Sequence, residues 1–244
     1  MTKVVVALSG GVDSSVAAAL LVEQGYDVVG VTMRLWSAPG CEEENRCCTP
    51  QTRELAAQLA KQLGIPFYVL DAQQEFRQAV VQRFLDGYSR GDTPNPCVYC
   101  NRYLKWDYLW QFAQSIGAEA IATGHYARLR RSTDGTYELW KGVDATKDQT
   151  YFLSLLTQQH FEHTLFPLGE YTKVEVRQIA HARQLPAADA PESQDLCFLG
   201  KRDYRDFLRE YAHQAVQPGE IVDRQGKVLG KHNGLAFYTI GQRK

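Results

Sequence analysis

Short runs of hydrophobic, mostly β-branched residues alternate with longer amphipathic stretches along the first 125 residues of the chain. Buried parallel strands are apolar on both faces, and a crossover helix must separate one such strand from the next. The pattern therefore predicts an α/β fold with a parallel, Rossmann-like sheet. The predicted strands are Val4–Leu8, Asp27–Met33, Pro66–Leu70 and Ala120–Thr123, and the predicted helices are Ser14–Gln24, Gln51–Leu63, Gln73–Asp86 and Asn101–Ser115.

The second half of the chain has a different pattern of hydrophobic and turn residues. Turn residues at Asp134-Gly135 and Gln225-Gly226, each between two short alternating runs, predict two β-hairpins. We expect a sheet domain over residues 1–200 and the start of a small β-rich central domain over 201–244. The hairpin strands are Ala127–Arg131, Tyr137–Lys141, Gly219–Asp223 and Lys227–Lys231; helices are predicted at Tyr151–Leu156, Val174–Arg183 and Tyr204–Tyr211, and Ser89–Tyr99 is predicted to be a loop.

Composition is that of an ordinary globular protein, with 44% hydrophobic and 23% charged residues. The chain lacks the roughly 18 consecutive apolar residues of a membrane span. Its first residues, Met1–Leu8, lack the length and cleavage site of a secretory signal. We therefore expect a cytoplasmic protein with no membrane partner.

Charge is spread unevenly. The net charge is −1, but residues 201–244 hold nine Lys and Arg against five Asp and Glu, a net charge of +4. A basic C-terminal segment on an otherwise acidic chain is suited to binding a polyanion. An ordinary solvated surface explains this one feature equally well.

The segment Ser9–Ser15, with sequence SGGVDSS, lies between the first predicted strand and helix. Its two glycines permit close backbone approach, and the helix start directs N–H groups and a positive dipole end at an anion. Asp13 is a candidate ligand for magnesium on bound phosphates. The alternative is a tight turn in which Asp13 or Ser14 only caps the helix. The segment matches neither the Walker A nor the G-x-G-x-x-G pattern.

Six cysteines are many for a cytosolic chain, where structural disulfides are rare, so they favour a catalytic or metal-binding role. Cys100 lies at the start of a predicted helix near Arg102 and Lys105, which should favour its thiolate. Cys197, between two apolar residues, would in isolation be a core cysteine. The spacing of Cys41, Cys47 and Cys48 is not that of a zinc ligand pair, and we interpret them as incidental thiols.

The SGGVDSS segment resembles the SGGxDS signature of the ATP pyrophosphatase, or PP-loop, superfamily. This resemblance implies ATP as a substrate, cleavage between its α and β phosphates, adenylation of an acceptor and release of pyrophosphate. The superfamily includes several small-molecule synthetases, so the loop alone leaves the acceptor open.

Four further segments narrow the resemblance: 93–101 (TPNPCVYCN), 122–126 (ATGHY), 147–153 (KDQTYFL) and 193–200 (SQDLCFLG). Together with the loop, and in this order, they closely resemble the bacterial tRNA 2-thiouridylases from Lys3 to Lys244. In that family the C2 oxygen of the wobble uridine in the tRNA anticodon is adenylated and then replaced by sulfur. A relay protein or a cysteine desulfurase supplies the sulfur.

The resemblance also implies roles for single residues. Cys100 matches the nucleophile and Cys197 the cysteine that carries the persulfide. His125 matches a tRNA contact, although a structural role at a strand end is equally open. The remaining matches are nucleotide contacts at Ala7, Leu8, Ser9, Gly10, Gly11, Val12, Asp13, Ser14, Met33 and Gly124, target-base contacts at Asn95, Pro96 and Cys97, and tRNA contacts at Lys147, Asp148 and Gln149.

These residue types suit the chemistry, because an amide-like oxygen leaves poorly until adenylation turns it into AMP. A thiolate or persulfide is then a suitable nucleophile.

This chain departs from the family pattern in two respects. Well-known members carry an aspartate with acid/base duty at the position of Cys97, and they continue beyond Lys244 through a longer central domain and a C-terminal β-barrel. We therefore expect the chain to be truncated inside the central domain.

Two other hypotheses remain open. One is a small-molecule synthetase of the same superfamily, which would not need two cysteines about a hundred residues apart. The other is an iron–sulfur-dependent tRNA thiolase, in which Cys97, Cys100 and Cys197 hold three irons of a cluster. We favour the persulfide mechanism because Cys97-x-x-Cys100 falls short of the usual four-cysteine set.

Overall fold

The computed structural model describes residues 1–40, 49–191, 196–200, 202–213 and 215–242. A parallel five-stranded sheet of order β3-β2-β1-β4-β7 organises the fold. The order reverses between β1 and β4, and such a reversal opens a crevice at the carboxyl ends of the strands. The strands are β1 Lys3–Ala7, β2 Asp27–Arg34, β3 Phe67–Asp71, β4 Ala120–Ala122, β5 Ala127–Arg131, β6 Tyr137–Lys141, β7 Thr164–Leu165, β8 Gly219–Val222 and β9 Val228–His232.

The predicted fold class is confirmed. The four predicted sheet strands are present, and β5–β6 and β8–β9 form the two predicted antiparallel hairpins. The sequence analysis missed β7, because two residues are too few to show a strand pattern. It also missed the short helix Gln158–Phe161, and the helix predicted at Tyr151–Leu156 is only a 3₁₀ turn over Thr150–Leu153.

The first two helices flank the crevice. Val12–Glu23 follows β1, and Pro50–Leu63 follows β2. The second has a capped start, because the Thr49 Oγ1 accepts a hydrogen bond from the Thr52 N–H at 3.1 Å. It ends at the left-handed Gly64, with φ of 67°, as the sequence predicts.

Two long helices each contain a π segment, in which the hydrogen bonds reach one residue further than in an α-helix. The first comprises Gln73–Phe76, the π segment Arg77–Val81, and Gln82–Ser89. The second, which we name the cysteine helix, comprises Pro96–Tyr99, the π segment Cys100–Tyr108, and Leu109–Ser115. The remaining α-helices of the described residues are Gln158–Phe161, Lys173–Ala182 and Tyr204–Tyr211.

The predicted loop Ser89–Tyr99 is therefore wrong at both ends. The preceding helix includes Ser89, and the cysteine helix already begins at Pro96. Asn95 supplies the cap, since its Oδ1 accepts a hydrogen bond from the Cys97 N–H at 3.0 Å. Proline is favoured at the first helical position, where its missing N–H costs nothing.

Alternation along β1 distributes its valines between two cores. Val4 and Val6 pack with the helices Val12–Glu23 and Lys173–Ala182 on one face, whereas Val5 packs on the other face against Trp106 of the cysteine helix. A third core, which we name the aromatic cluster, lies beyond the sheet edge. Its largest fully buried side chains are Phe76, Phe84, Phe198 and Phe207.

The aromatic cluster also contains residues of both predicted domains. Phe207, Leu208 and Phe237, from the predicted central domain, pack in it with Phe84 of the first π-containing helix.

Within the described ranges, no helix combines the length and the apolar character required to cross a bilayer.

Candidate active site

The phosphate loop, residues 8–15, lies at the carboxyl edge of the sheet, where the chain passes from β1 into the first turn of the helix Val12–Glu23. That helix has Gly11 at its N-cap and no side-chain capping hydrogen bond, so the interpretation that Asp13 or Ser14 merely caps it is wrong. The serines instead tie the turn together. The Ser9 N–H donates to Ser14 Oγ at 3.2 Å, and Ser15 Oγ donates to the Gly11 carbonyl at 2.9 Å. The free helix start remains directed at the crevice.

Two glycines let neighbouring backbone reach the loop. Gly10 has a φ of 73°, and a Cβ there would overlap the carbonyl oxygen of Thr52. Gly124 follows β4, and a Cβ there would lie 2.7 Å from the carbonyl carbon of Asp13. The strands β1 and β4 flank the reversal point, so the structure brings Gly124 directly against the loop. Met33, by contrast, lies near the end of β2 between two cores.

Asp13 is engaged by partners from two distant parts of the chain. Lys173 Nζ donates to both carboxylate oxygens, at 2.7 and 2.8 Å, and the Tyr126 hydroxyl donates to Oδ1 at 2.8 Å. Lys173 is buried, with only 8% of the residue exposed. The ammonium group occupies the position that a cation on Asp13 would need, so the arrangement does not fit a magnesium ion held by this carboxylate.

The segment Lys147–Gln149 lies next to this group. Gln149 Oε1 accepts a hydrogen bond from the Tyr126 N–H at 3.1 Å. Burial of the Asp148 carboxyl raises its pKa, but hydrogen bonds from Thr150 and the charge of Lys141 outweigh this effect and leave the pKa below its usual value. Asp148 is therefore a stable anion that fixes the following 3₁₀ turn through Thr150.

Phe152 connects this segment with the cysteine helix, and its N–H donates to the Gln149 carbonyl at 3.0 Å. Asn101 Nδ2 donates to the Phe152 carbonyl at 2.8 Å, and Asn101 directly follows Cys100. Asn101 Oδ1 is buried and has no hydrogen-bond partner among the described residues. The structure thus links the phosphate loop, the Lys147–Gln149 segment and the cysteine helix in one chain of contacts.

His125 lies in the core. Its Nδ1 shares a 2.7 Å hydrogen bond with Thr123 Oγ1, and its ring packs between Trp106 and Phe166. Burial, helped by the charge of Lys105, lowers the pKa of His125 well below its usual value, so the ring is neutral. This setting favours the structural role of His125 over the tRNA contact.

Cys97 and Cys100 occupy different positions from those expected. Because the cysteine helix begins at Pro96, Cys97 lies in its first turn, where the helix dipole favours a thiolate. Cys100 lies one turn further in, at the start of the π segment, and its N–H already bonds to the Pro96 carbonyl. The prediction that Cys100 lies at the helix start is therefore wrong. Arg102, one of the two cations expected nearby, is paired with Asp107.

Cys197 begins a 3₁₀ turn, Cys197–Leu199, next to the buried Phe198. Cys100 and Cys197 are both partly buried and both pack against the aromatic cluster. The fold therefore brings the two cysteines to the border of one core, although they are about a hundred residues apart in sequence. Residues 193–195 of the motif, and Cys41, Cys47 and Cys48, lie outside the described residues.

The iron–sulfur alternative gains no support from this geometry. In the part of the chain that the structure describes, no group of three or more His, Cys, Asp or Glu side chains is placed to hold a metal ion.

The sheet order and the loop define a nucleotide-binding domain of the PP-loop type, and known proteins agree. The family model described as the tRNA methyl transferase HUP domain matches residues 2–201, and that of the tRNA methyl transferase PRC-barrel domain matches residues 205–244.

Among solved structures, a 4-thiouridine synthetase–RNA complex with bound ATP has a TM-score of 0.53 and 20% identity over 87% of this chain and 50% of that one. NMN synthetase from Francisella tularensis has a TM-score of 0.50 and 19% identity, covering 85% and 72%. Both show a shared fold.

The family follows from closer relatives. The tRNA-specific 2-thiouridylase MnmA of Chloroflexus aurantiacus is 50% identical over the whole chain, which covers 68% of that protein. Those of Carboxydothermus hydrogenoformans and Clostridioides difficile are 52% and 46% identical over 99% of the chain, which covers 67% and 68% of them. This chain belongs to the family of tRNA-specific 2-thiouridylases, which confirms the resemblance predicted from its motifs.

The sequence analysis missed Lys173 and Tyr126. Lys173 starts an amphipathic helix, and Tyr126 follows Gly124 and His125. Neither position belongs to a motif that predicts a contact with Asp13, which lies more than a hundred residues earlier. A buried lysine needs a partner, so only the prediction that Lys173 is buried could have led to Asp13.

Proposed function

We propose that the protein is an ATP-dependent tRNA sulfurtransferase. It adenylates the C2 oxygen of the wobble uridine in tRNA and replaces that oxygen with sulfur from a persulfide on Cys197. The products are 2-thiouridine, AMP and pyrophosphate. The observation that carries this proposal is the chain of hydrogen bonds that runs from Asp13 to the cysteine helix in a member of the 2-thiouridylase family. The chain passes through Tyr126, Gln149 and Phe152.

Adenylation is assigned to the phosphate loop. The uncapped start of the helix Val12–Glu23 offers N–H donors to a polyphosphate. Lys173 adds a positive charge at the loop, next to the place where pyrophosphate would leave. The uridine C2 oxygen attacks the α-phosphate of ATP, and the α–β bond breaks to release pyrophosphate. We expect magnesium to arrive on the phosphates of ATP.

Sulfur transfer is assigned to the two cysteines at the aromatic cluster. A donor, either a relay protein or a cysteine desulfurase, leaves a terminal sulfur on Cys197. That sulfur attacks the adenylated C2 carbon, and AMP departs with the former oxygen. The Cys100 thiolate then attacks the inner sulfur of Cys197, which breaks the persulfide bond and frees the thiouridine. The resulting Cys100–Cys197 disulfide needs an external thiol before the next cycle.

In an alternative order of these steps, Cys100 attacks first and releases hydrosulfide, which then attacks C2. Either order uses the same residues and gives the same disulfide. Target-base contact is proposed for Asn95, Pro96 and Cys97, and tRNA contact for Lys147, Asp148 and Gln149. A protein that uses ATP and tRNA in this way is expected in the cytoplasm.

The test is release of pyrophosphate from ATP with and without tRNA, together with mass analysis of the tRNA nucleosides when a persulfide donor is present. We expect release to require tRNA and 2-thiouridine to form. Free amino acids, replacing tRNA, test the small-molecule synthetase. Release with an amino acid but not with tRNA would reject the proposal.

Gly11→Ala is the preferred loop variant for this test. The Cβ would meet only Ser9 Oγ, at 3.4 Å, so the protein itself tolerates it. Asp13→Ala is less suitable, because it leaves the buried Lys173 without its counter-charge and destabilises the fold.

A further inference from the structure

The loop of residues 144–149 is connected to the phosphate loop by two separate arms. In one arm, Gln149 Oε1 accepts from the Tyr126 N–H at 3.1 Å, and the Tyr126 hydroxyl donates to Asp13 Oδ1 at 2.8 Å. In the other, Asp144 Oδ2 accepts from the Lys173 N–H at 2.9 Å, and Lys173 Nζ donates to Asp13. The two arms start in one loop and end on one carboxylate, so the contacts form a closed ring.

The ring is firmly built. Tyr126 is 1% exposed and Lys173 is 8% exposed, and the Lys173 ammonium also lies 5.9 Å from the centre of the Tyr126 ring. Asp144 is itself fixed, because its Oδ1 accepts from both the N–H and the hydroxyl of Thr146. Hydrogen bonds from Lys173 and Thr146 hold the pKa of Asp144 below its usual value, so this member of the ring is charged at neutral pH.

Tight packing around the ring prevents independent movement of its members. A Cβ on Gly142, which precedes the loop, would already lie 3.1 Å from Tyr126 backbone atoms. Gly124, two residues before Tyr126, is pressed against Asp13. A shift of the 144–149 loop that keeps its hydrogen bonds to Tyr126 and Lys173 must therefore move these residues, and through them Asp13.

We infer that this ring couples the two substrates: RNA that binds to the 144–149 loop tightens the binding of ATP to the phosphate loop, and ATP tightens the binding of RNA. The inference rests on the proposed function, which assigns RNA to Lys147–Gln149 and ATP to the phosphate loop. Tyr126 and Asp144 act as positioning residues, since each acts through another group.

The direction follows from preorganisation. RNA that fixes the loop also fixes Gln149 and Asp144, and hence the tyrosine and lysine on Asp13. The ring is already formed in the free protein, and RNA further restricts the motion of its members, so ATP loses less conformational entropy when it binds. Such coupling must be reciprocal: each substrate changes the affinity of the other by the same factor.

The experiment measures that factor directly. Dissociation constants are determined by calorimetry for an ATP analogue with a methylene group between the α and β phosphorus atoms, which cannot be cleaved. They are measured with and without an anticodon stem-loop RNA that has uridine at the wobble position. We expect the RNA to tighten binding of the analogue about fivefold or more in the unaltered protein.

Each of two variants removes one hydrogen bond from one arm of the ring. Tyr126→Phe removes the hydroxyl on Asp13 and keeps the ring and the backbone N–H. Asp144→Asn keeps an oxygen for Thr146 but replaces the acceptor of the Lys173 N–H with an amide donor. We expect either variant to bring the coupling factor close to one, while each substrate alone still binds. Thermal unfolding verifies that both variants are folded.

Matched controls make the same chemical changes outside the ring. Tyr108→Phe removes a tyrosine hydroxyl that donates to the Asp71 carbonyl at 2.8 Å. Asp134→Asn alters an aspartate in the β5–β6 turn that accepts from the N–H and hydroxyl of Thr136, just as Asp144 does with Thr146. Both controls should keep the coupling factor of the unaltered protein.

The outcomes separate the inference from the proposed function. RNA and analogue that bind independently in the unaltered protein, or a coupling that survives both ring variants, would overturn the inference and leave the proposed function in place. A protein that does not bind the RNA at all would overturn the proposed function, and the inference with it.

Discussion

The two halves of the candidate site are built in contrasting ways. The phosphate-loop half comes mainly from one continuous segment, and hydrogen bonds within it and to Lys173 and Tyr126 fix its shape. The cysteine half comes from two segments about a hundred residues apart, and packing on the aromatic cluster brings them together. Polar contacts therefore stabilise one half and apolar burial the other. The two halves should fail separately when they are altered separately.

The largest expected effect separates the two halves chemically. Cys100→Ser and Cys197→Ser remove the sulfur chemistry, so formation of 2-thiouridine should fall by about a thousandfold or more, as for other lost nucleophiles. Release of pyrophosphate in the presence of tRNA should remain, because the phosphate loop is unchanged. Nucleoside analysis and a pyrophosphate assay on the same reaction measure both.

Cys97→Ser is the matched control for these variants, since it makes the same sulfur-to-oxygen change about one helical turn before Cys100. We expect slowed but measurable thiolation. A brown, anaerobically purified protein with iron near four per chain, lost in Cys97→Ser, would instead revive the iron–sulfur hypothesis.

Phe198→Ala tests the apolar half. Phe198 is 1% exposed and makes edge contacts with Phe76, Phe84 and Phe207 at centroid distances of 5.4 to 5.9 Å. Loss of the ring should lower the free energy of unfolding by about 3–5 kcal/mol. It should also alter the reactivity of Cys197 toward a thiol reagent while the affinity for ATP stays the same. A large loss of ATP affinity in the folded variant would show that the halves are not separable.

Two glycines sharpen the comparison within the polar half. Gly124→Ala forces a Cβ into the backbone of Asp13 and should cost about 1–3 kcal/mol of stability, together with ATP binding. Gly11→Ala meets only Ser9 Oγ, so the loss of a favourable N-cap residue should lower stability by only about 0.5–1 kcal/mol. Its ATP affinity should fall about tenfold, because the methyl group blocks the close approach of phosphate. Urea unfolding and calorimetry compare the two, and equal ATP affinity in Gly11→Ala and the unaltered protein would contradict the loop assignment.

The smallest expected effect is a pH dependence. Burial lowers the pKa of His125 in the folded protein, whereas the unfolded chain titrates near its ordinary value of about 6.5. Below that pH only the unfolded chain gains the proton, so stability should fall with decreasing pH, by at most about 1.4 kcal/mol per pH unit from this group. His125→Asn should flatten the slope of unfolding free energy between pH 7 and 5. Equal slopes in His125→Asn and the unaltered protein would reject this account.

The sequence predicts the polar half better than the apolar half, for a physical reason. The loop between β1 and its helix is a local structure, and its glycines and serines follow one another in the chain. The predicted start of the cysteine helix, Asn101, is five residues too late, because the predicted loop Ser89–Tyr99 included Pro94 and Pro96. Asn95 followed by Pro96 is also the signature of a helix start, which the structure bears out.

Long-range contacts set the limit of prediction. Nothing local to Asp13 indicates that Lys173, 160 residues later, takes its carboxylate, or that Tyr126 joins them. That Cys100 and Cys197 pack against the same core likewise depends on which aromatic rings pack together. Family resemblance identified both cysteines, but residue pattern alone favoured a core role for Cys197.

The aromatic cluster has a consequence for dividing the chain into smaller proteins. The proposed boundary near residue 200 cuts between Phe198 and Phe207, which are packed ring against ring at 5.4 Å. A shortened protein that ended there would expose Phe84, whose neighbour Phe207 would be gone. Newly exposed apolar surface of this kind promotes aggregation. A soluble nucleotide-binding fragment would therefore need to extend past Phe237, or to carry polar replacements on the uncovered face.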